Sequence, residues 1–425
     1  MPVHSTDVVF MSARLIQTPH HLLDSSPGAS AWRTGDSWRV LSAPIERIVV
    51  ADVDRSALLA LPNRVTALLE KHPGAVARGL ISYEAGRLLH GDSCGRPPRV
   101  PAAVVHVYAA DPEAFHHGGS ASPGANRPGS PDSGNSRRDR RSHRGADGFG
   151  LTEEFKADIA KADYLAALKK IQAYLAAGDC YQINFAQRFS ALCKGDSRSA
   201  WLALLAAHPA PHACYMDWGD GQVFGVSPER FIRVRGRQIQ SEPIKGSVPR
   251  SADAMENEAH ARRLLASEKD RAENLMIVDL LRNDLGQVCL PGSITAQPLF
   301  QLRRFSNVQH LVSTVSGELR AGVSPLGALL ACFPGGSITG APKKRAMEII
   351  AELEPEARGF YCGCFFELDG EGNLDSNILI RTLQRQGEIL HCHGGGGITH
   401  DSDPEQEYQE SLFKVEKLMA SVAGV

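Results

Sequence analysis

Between His116 and Phe149 the chain has almost nothing to bury. The stretch HHGGSASPGANRPGSPDSGNSRRDRRSHRGADGF is rich in Gly, Ser, Pro and Arg and carries almost no apolar residue before Phe149. Such a segment cannot offset its ordering entropy by burial, so it reads as a disordered linker or insertion. Any core must therefore be built from two pieces, an N-terminal subdomain at 1–115 and a larger domain at 150–425. The six arginines of the stretch exceed its three aspartates. A solvated loop explains that excess more simply than a nucleic-acid tail.

The rest of the composition narrows the class. Charged residues make up 22% of the 425 and the formal net charge is −2. That balance provides no general field for nucleic acid or an anionic membrane. No apolar run reaches the length of a membrane span. The opening MPVHSTDVVFMSARLIQTPH lacks the basic start and unbroken apolar run of a secretory signal. Nine cysteines are scattered, with Cys362 and Cys364 two apart and no CxxC pair. Neither a disulfide framework nor a thiolate metal site is supported, and a reduced cytoplasmic enzyme is the simplest class.

Periodicity sets the fold class. RIVVADV and AAVVHVYAA read as buried strands, and a helix is expected near 56–71. ADYLAALKKIQAYLAAG is a periodic helix ended by Gly178. Strands are expected at 181–190, 222–226, 229–241, 359–369, 375–385 and 388–393, with helices at 255–282 and 404–421. Strands mostly follow strands and helices come in blocks, which predicts an α+β fold with largely antiparallel sheet.

Several residues are chemically suggestive. Lys245 sits in SEPIKGSVPR, between an extended Pro243-Ile244 step and Gly246, and is expected in a turn. A lysine amine titrates near pH ~10.4, so a nucleophilic one must be desolvated or placed beside other cations. The plainer reading is a surface lysine. Asp270 and Glu273 lie three apart on one expected helix, as do Glu407 and Glu410 on another. Two such faces brought together would offer hard oxygen ligands to Mg²⁺. Alternatively they are solvated acids paired with Lys269, Arg271 or Lys414. Gly394–Gly397 follow the strand GEILHCH and could present amides to an anion, or simply form a hairpin. FPGGSITGAPKKRAMEII lacks the GxxxxGK[ST] order, which excludes a phosphate loop, although Thr339 and nearby amides could bind a carboxylate. Arg381, on an expected strand, could grip a carboxylate or close an edge ion pair. His310 lies in an apolar run, where a core role and a functional one are equally open. Glu229, in VSPERF, precedes a strand and could be a turn acid.

Taken in order, GDCYQINFAQRF, SPERF, PIKGS, DRAENLMIVDLLRNDLG, VQHLVSTVSG, FPGGSITGAPKKRAMEII, IRTL, GGGGIT and YQESLFKVEKL resemble the chorismate-utilising enzymes. That family takes in anthranilate, aminodeoxychorismate, isochorismate and salicylate synthases. SYEAGRLL, at 82–89, resembles an N-terminal segment of the first two. The resemblance implies two antiparallel sheets packed roughly orthogonally and flanked by helices. Anthranilate synthases typically carry alanine where this chain has Lys245, whereas the aminodeoxychorismate branch carries PIKG-threonine, here PIKG-Ser247. Water-using members place a lysine where this chain has Gln182.

The implied activity is that of the aminodeoxychorismate branch: chorismate and ammonia to 4-amino-4-deoxychorismate, on the way to p-aminobenzoate and folate. Lys245 would be the nucleophile and Glu229 the acid. Mg²⁺ would be held by Glu273 and Glu410, supported by Asp270 and Glu407. Gly246, Ser247, His310, Thr339, Tyr361, Arg381, Gly395, Gly397 and Lys414 would line the substrate site. With no Gly-x-Cys-x-Gly elbow in the sequence, ammonia is expected from a separate glutaminase subunit. The alternatives are an anthranilate synthase large subunit and a non-catalytic chorismate- or tryptophan-binding subunit.

Overall fold

A computed structural model of the chain describes residues 29–34, 37–41, 43–51, 54–91, 99–109, 148–305 and 308–425. The expected linker at 116–149 lies outside the described residues, except for its last two. The strand pairings are antiparallel and the helices stand apart from them in the chain, as an α+β pattern requires.

One sheet runs in the order Gly340–Ala341, Gln182–Lys194, Ile389–Ile398, Thr382–Gln386, Gln222–Ser227, His212–Asp217, Ser30–Thr34 and Ser37–Leu41. A second runs Thr295–Ala296, Val315–Glu318, Gln238–Ser241, Arg230–Arg235, Leu374–Ile378, Cys364–Asp369, Val76–Ile81, Ala103–Tyr108 and Glu46–Val50. The two face each other. Trp32, Met216 and Val223 of the first share one buried cluster with Leu80, Val104 and Phe365 of the second. Trp32 stacks on Phe365 with ring centroids 4.9 Å apart. Helices Ser197–Ala207 and Pro404–Ala423 cover the far face of the first sheet through Trp201, Leu204, Val415 and Leu418. Strands from the expected N-terminal subdomain edge both sheets, so that segment shares its hydrogen bonding with the rest of the chain.

A third, three-stranded sheet was not expected. Ile244–Pro249, Val308–Val312 and Gln301–Arg304 pair in that spatial order. It holds Lys245, which therefore lies on a strand rather than in a turn. The turn-like signal came from Gly246. It is skipped by the pairing, which steps from Lys245↔Leu311 to Ser247↔His310, and its φ is +77°. A glycine in the left-handed region is what such a bulge needs. An added Cβ there would also come within 2.8 Å of Leu264 and 3.0 Å of Asp270.

Three further expectations are corrected. The helix expected at 255–282 is two helices, Ala254–Ala266 and Glu268–Gly286. Ser267 ends the first and caps the second, its hydroxyl accepting from the Asp270 amide at 3.2 Å. The strand expected at 375–385 is interrupted at Arg381, whose φ is +50°, so Arg381 sits in a connection and not on a strand. Gly394–Gly397 do not form a loop after a strand. They continue Ile389–Ile398 and pair with Gln187 through Asn184.

That glycine run lets helix Pro404–Ala423 lie directly on the strand. A Cβ at Gly394 would stand 2.3 Å from the Ser411 carbonyl oxygen. Gly394→Ala is expected to cost about 1–3 kcal/mol by overpacking. Urea unfolding should show a lower midpoint; an unchanged midpoint would mean that the helix can move aside without loss.

Candidate active site

The bulged strand presents Lys245 among acids. Lys245 is half-buried, and burial pushes its amine below the ordinary lysine value. The charges of Glu273, Glu229 and Glu410 act against that, while Lys414 acts with it. One ammonium thus responds to carboxylates from two helices and from the Ser227–Arg230 turn.

Glu229 is the second decisive group. It is buried in the turn between Gln222–Ser227 and Arg230–Arg235. Burial pushes its carboxyl up to about 7, opposed by a hydrogen bond from Ser337 and by the Lys245 charge. Ser337 Oγ donates to Glu229 Oε1 at 2.6 Å. A carboxyl titrating near neutrality can hold a proton and release it, as a general acid must. The sequence points to Thr339 in the same glycine-rich segment and not to Ser337, because nothing local marks which hydroxyl faces Glu229. Thr339 is fully buried and its hydroxyl bonds the Gly335 and Gly336 carbonyls at 3.0 and 3.3 Å, fastening its own loop.

His310 pairs across the small sheet with Ser247, whose Oγ lies 2.7 Å from Nδ1. Burial, then the nearby Arg381 charge, push the imidazole down to about 4, and a Gly246 backbone hydrogen bond acts the other way. The ring is therefore neutral at pH 7. Arg381 is lowered by burial, with no acid acting on it. Among the described residues no carboxylate is paired with its guanidinium, which leaves a desolvated cation suited to an anionic ligand. Tyr361 is buried and stacks on His393 at 4.7 Å and 6°. Burial holds its phenol well above the usual value.

The glycine run borders the same space. Thr382–Gln386 pairs with its strand only up to Cys392, so among the described residues the edge at Gly394–Gly397 lacks a strand neighbour on that side. The amides near Gly395 and Gly397 are held in a strand, not curled in a nest. Lys414 Nζ donates to the Gly395 carbonyl at 3.0 Å. Gln182 is fully buried, and neither of its amide atoms has a hydrogen-bond partner among the described residues. A Cβ at Gly397 would reach within 2.6 Å of Gln182 Nε2.

The four expected metal-binding acids divide between two helices. Glu407 Oε2 and Glu410 Oε1 lie 3.2 and 3.6 Å from where a Gly396 Cβ would stand. The Asp270 side chain packs on Gly246. Lys269 is 3.9 Å from Glu273, and its charge also acts on Glu407 and Glu410. Lys414 pairs with Glu410 at 2.6 Å. The expected neighbouring lysines are thus present, and among the described residues no three potential ligands converge closely enough to hold a metal by themselves. The donor chemistry fits a hard cation that takes one or two carboxylates and fills its other positions with water or ligand oxygens.

Residues 25–420 match the family described as chorismate binding enzyme. The chain belongs to that family. Over 271 residues it is 48% identical to aminodeoxychorismate synthase component 1 of Klebsiella aerogenes, an alignment covering 64% of this chain and 60% of that protein. It is 38% identical over 270 residues to anthranilate synthase component 1 of Bacillus subtilis, covering 64% and 52%. The chain thus spans about three fifths or less of the length of these relatives. Among solved structures, anthranilate synthase component I from Streptococcus pneumoniae superposes with a TM-score of 0.73 at 25% identity, covering 95% of each chain. A 2,3-dihydroxybenzoate-specific isochorismate synthase from Bacillus anthracis gives 0.70 at 19% identity, covering 94% of this chain and 97% of that one, and shares the fold.

Because Ser337 favours the ionised form of Glu229, Ser337→Ala should move that carboxyl above about 7. Isotope-edited infrared titration of the carboxyl stretch would read the shift. Between the unfolded carboxyl value of about 4.3 and the folded one, the native state binds more protons, so its stability falls as pH rises. That window should widen upward in the variant.

Proposed function

We propose that this chain replaces the 4-hydroxyl of chorismate with ammonia, giving 4-amino-4-deoxychorismate and water. The observation that carries the reading is one ammonium, Lys245, held in a partly desolvated site beside Glu229, a carboxyl that titrates near 7. The identity of 48% to a protein named aminodeoxychorismate synthase component 1, against 38% to an anthranilate synthase component 1, supports the same branch. So does the nucleophile-bearing PIKGS segment.

In this reading Lys245 gives its ammonium proton to solvent and attacks ring position 2 as the neutral amine. The ring double bonds shift and the C4–O bond breaks, with Glu229 giving its proton to the departing hydroxyl, which leaves as water. The lysine nitrogen then loses its extra proton to the Glu229 carboxylate. Ammonia attacks position 4, the double bonds shift back, and the C2–N bond to Lys245 breaks. The reprotonated Glu229 supplies the proton that accompanies lysine departure, and the excess proton on the new amine passes to solvent. One difficult substitution becomes two easier ones. Arg381 and amides near Gly395 and Gly397 hold one carboxylate of the substrate. Lys414, Tyr361 and Thr339 border it, and His310 stays neutral against Ser247. Glu273 and Glu410, with Asp270 and Glu407, would hold Mg²⁺. When bound, that ion supplies charge neutralisation and orientation to the ring carboxylate. We place the reaction in the cytoplasm, in the folate branch, with ammonia drawn from a separate glutaminase subunit. The eight described cysteines are free and buried, in keeping with a reducing compartment. No described helix is long and apolar enough to cross a membrane.

The test is product identification by mass spectrometry with chorismate, Mg²⁺ and ammonium. The expected product retains the enolpyruvyl group and gains an amine. Release of pyruvate with anthranilate would favour the anthranilate synthase reading, and no turnover at all would favour a binding subunit. Lys245→Ala should abolish product formation, and an adduct on Lys245 should be visible in the intact wild-type protein after mixing with chorismate. Unimpaired synthesis by the alanine variant would remove the lysine from the mechanism.

Glutamine should support turnover only when a glutaminase is added, whereas ammonium should suffice for the chain alone. Efficient glutamine-dependent synthesis by the purified chain would contradict this division of labour.

A further inference from the structure

Lys245 and Glu273 belong to different elements, and one buried polar pair ties those elements together. Asn274 follows Glu273 on helix Glu268–Gly286 and lies four residues after Asp270. Asn274 and Ser313 are both fully buried. Ser313 Oγ donates to Asn274 Oδ1 at 2.5 Å. Ser313 directly follows Val308–Val312, the strand that carries His310 and pairs with Lys245 through Leu311. Its backbone N–H donates to the Pro243 carbonyl at 3.2 Å, two residues before Lys245. Its hydroxyl also accepts from the Phe300 amide at 3.0 Å. The path from Glu273 to Lys245 therefore runs through one side-chain and one backbone hydrogen bond.

We propose that Asn274, acting through Ser313, is a positioning residue that sets the helix face bearing Asp270 and Glu273 against the strand bearing Lys245. The inference rests on the proposed reaction for its kinetic consequences, but its geometric content stands apart from it. A buried polar pair within an apolar layer is a demanding way to join a helix to a sheet. Each group loses water, and Asn274 Nδ2 has no partner among the described residues. Val278 and Leu281 on the same helix pack by apolar contact, and its far end is held by the Lys343–Asp284 pair, so Asn274 is the polar tie at the end nearest Glu273. A hydrogen bond adds what apolar contact lacks, a fixed direction and register. Without it the helix is free to shift along the sheet and carry Glu273 away from Lys245. Lys414 and Glu410, on another helix, would not move.

The test compares Ser313→Ala, Asn274→Leu and the double variant with the wild type. Each single change strands a buried polar partner and should lower the melting temperature. The double change removes both side-chain groups and should regain much of that loss, since replacing both partners by apolar groups is close to neutral. Phe300 is only partly buried, so its amide can turn to water. If Asn274 positions the helix, kcat with chorismate and ammonium falls at least tenfold in all three variants, with chorismate KM within threefold of wild type. The double variant then stays slow although it is stable. Zero-length carbodiimide coupling of Lys245 to Glu273, read by peptide mass spectrometry, should fall at least tenfold in every variant. Coupling of Lys414 to Glu410 should stay constant. A double variant that recovers kcat together with melting temperature would reduce the pair to a structural role, as would undiminished Lys245–Glu273 coupling. The coupling arm needs no turnover. A failure of the proposed reaction in the wild type is thereby separated from a failure of the positioning role.

Discussion

Two helices can lie against the strands of this molecule only because particular Cβ atoms are missing. At Gly246 a side chain would drive into Leu264 and Asp270, and at Gly394 it would meet the Ser411 carbonyl at 2.3 Å. These contacts place Glu268–Gly286 beside the small sheet and Pro404–Ala423 beside the long strand Ile389–Ile398. Glu273 and Glu410 then act on the same lysine from opposite helices. A methyl group at Gly394 would have to be absorbed by backbone movement, and one at Gly246 would displace the Leu264 and Asp270 side chains and strain a left-handed φ.

Burial then sets the chemistry. Glu229 and His310 move in opposite senses for one reason, since desolvation disfavours the charged form of each. The acid is pushed up to about 7 and the base down to about 4. At pH 7 His310 is neutral and Glu229 stands near the midpoint of its titration, which leaves Arg381 as a desolvated cation with no described acid opposite it. A site with that balance calls for an anionic ligand to complete it. The acids near Lys269 and Lys414 are already partly neutralised, so a metal there would compete with lysine ammonium groups as well as with water.

Other buried ion pairs hold the scaffold around this site. Lys343 donates to Asp284 at 2.7 Å and to the Cys332 carbonyl at 2.9 Å, joining the end of one helix to the start of another. Arg358 is buried against Glu354 and bonds the carbonyls of Ile338 and Asn184. Removing one partner of such a pair would leave an uncompensated charge, which costs far more than the pair itself contributes. Asp284 and Lys343 lie in motif-bearing segments and Glu354 and Arg358 do not, yet the sequence marks neither pair. A Lys or Asp on a helix carries no local sign that it will be buried.

What could be read from the chain alone was whatever depends on neighbours in sequence. Apolar periodicity located the helices at Arg55–Lys71, Lys161–Ala176 and Pro404–Ala423 to within a few residues, because amphipathic spacing is a local property. The ordered motifs indicated the family and drew attention to Lys245, Glu229, Arg381 and the two acidic pairs. Tertiary structure decided the rest. The expected turn at Lys245 became a bulged strand, and the glycine run became part of a long strand, because pairing partners more than 60 and 200 residues away supplied the hydrogen bonds. Ser337 and the Asn274–Ser313 pair became visible only when distant segments met. A hydroxyl or an amide has no function until the fold determines which group it faces.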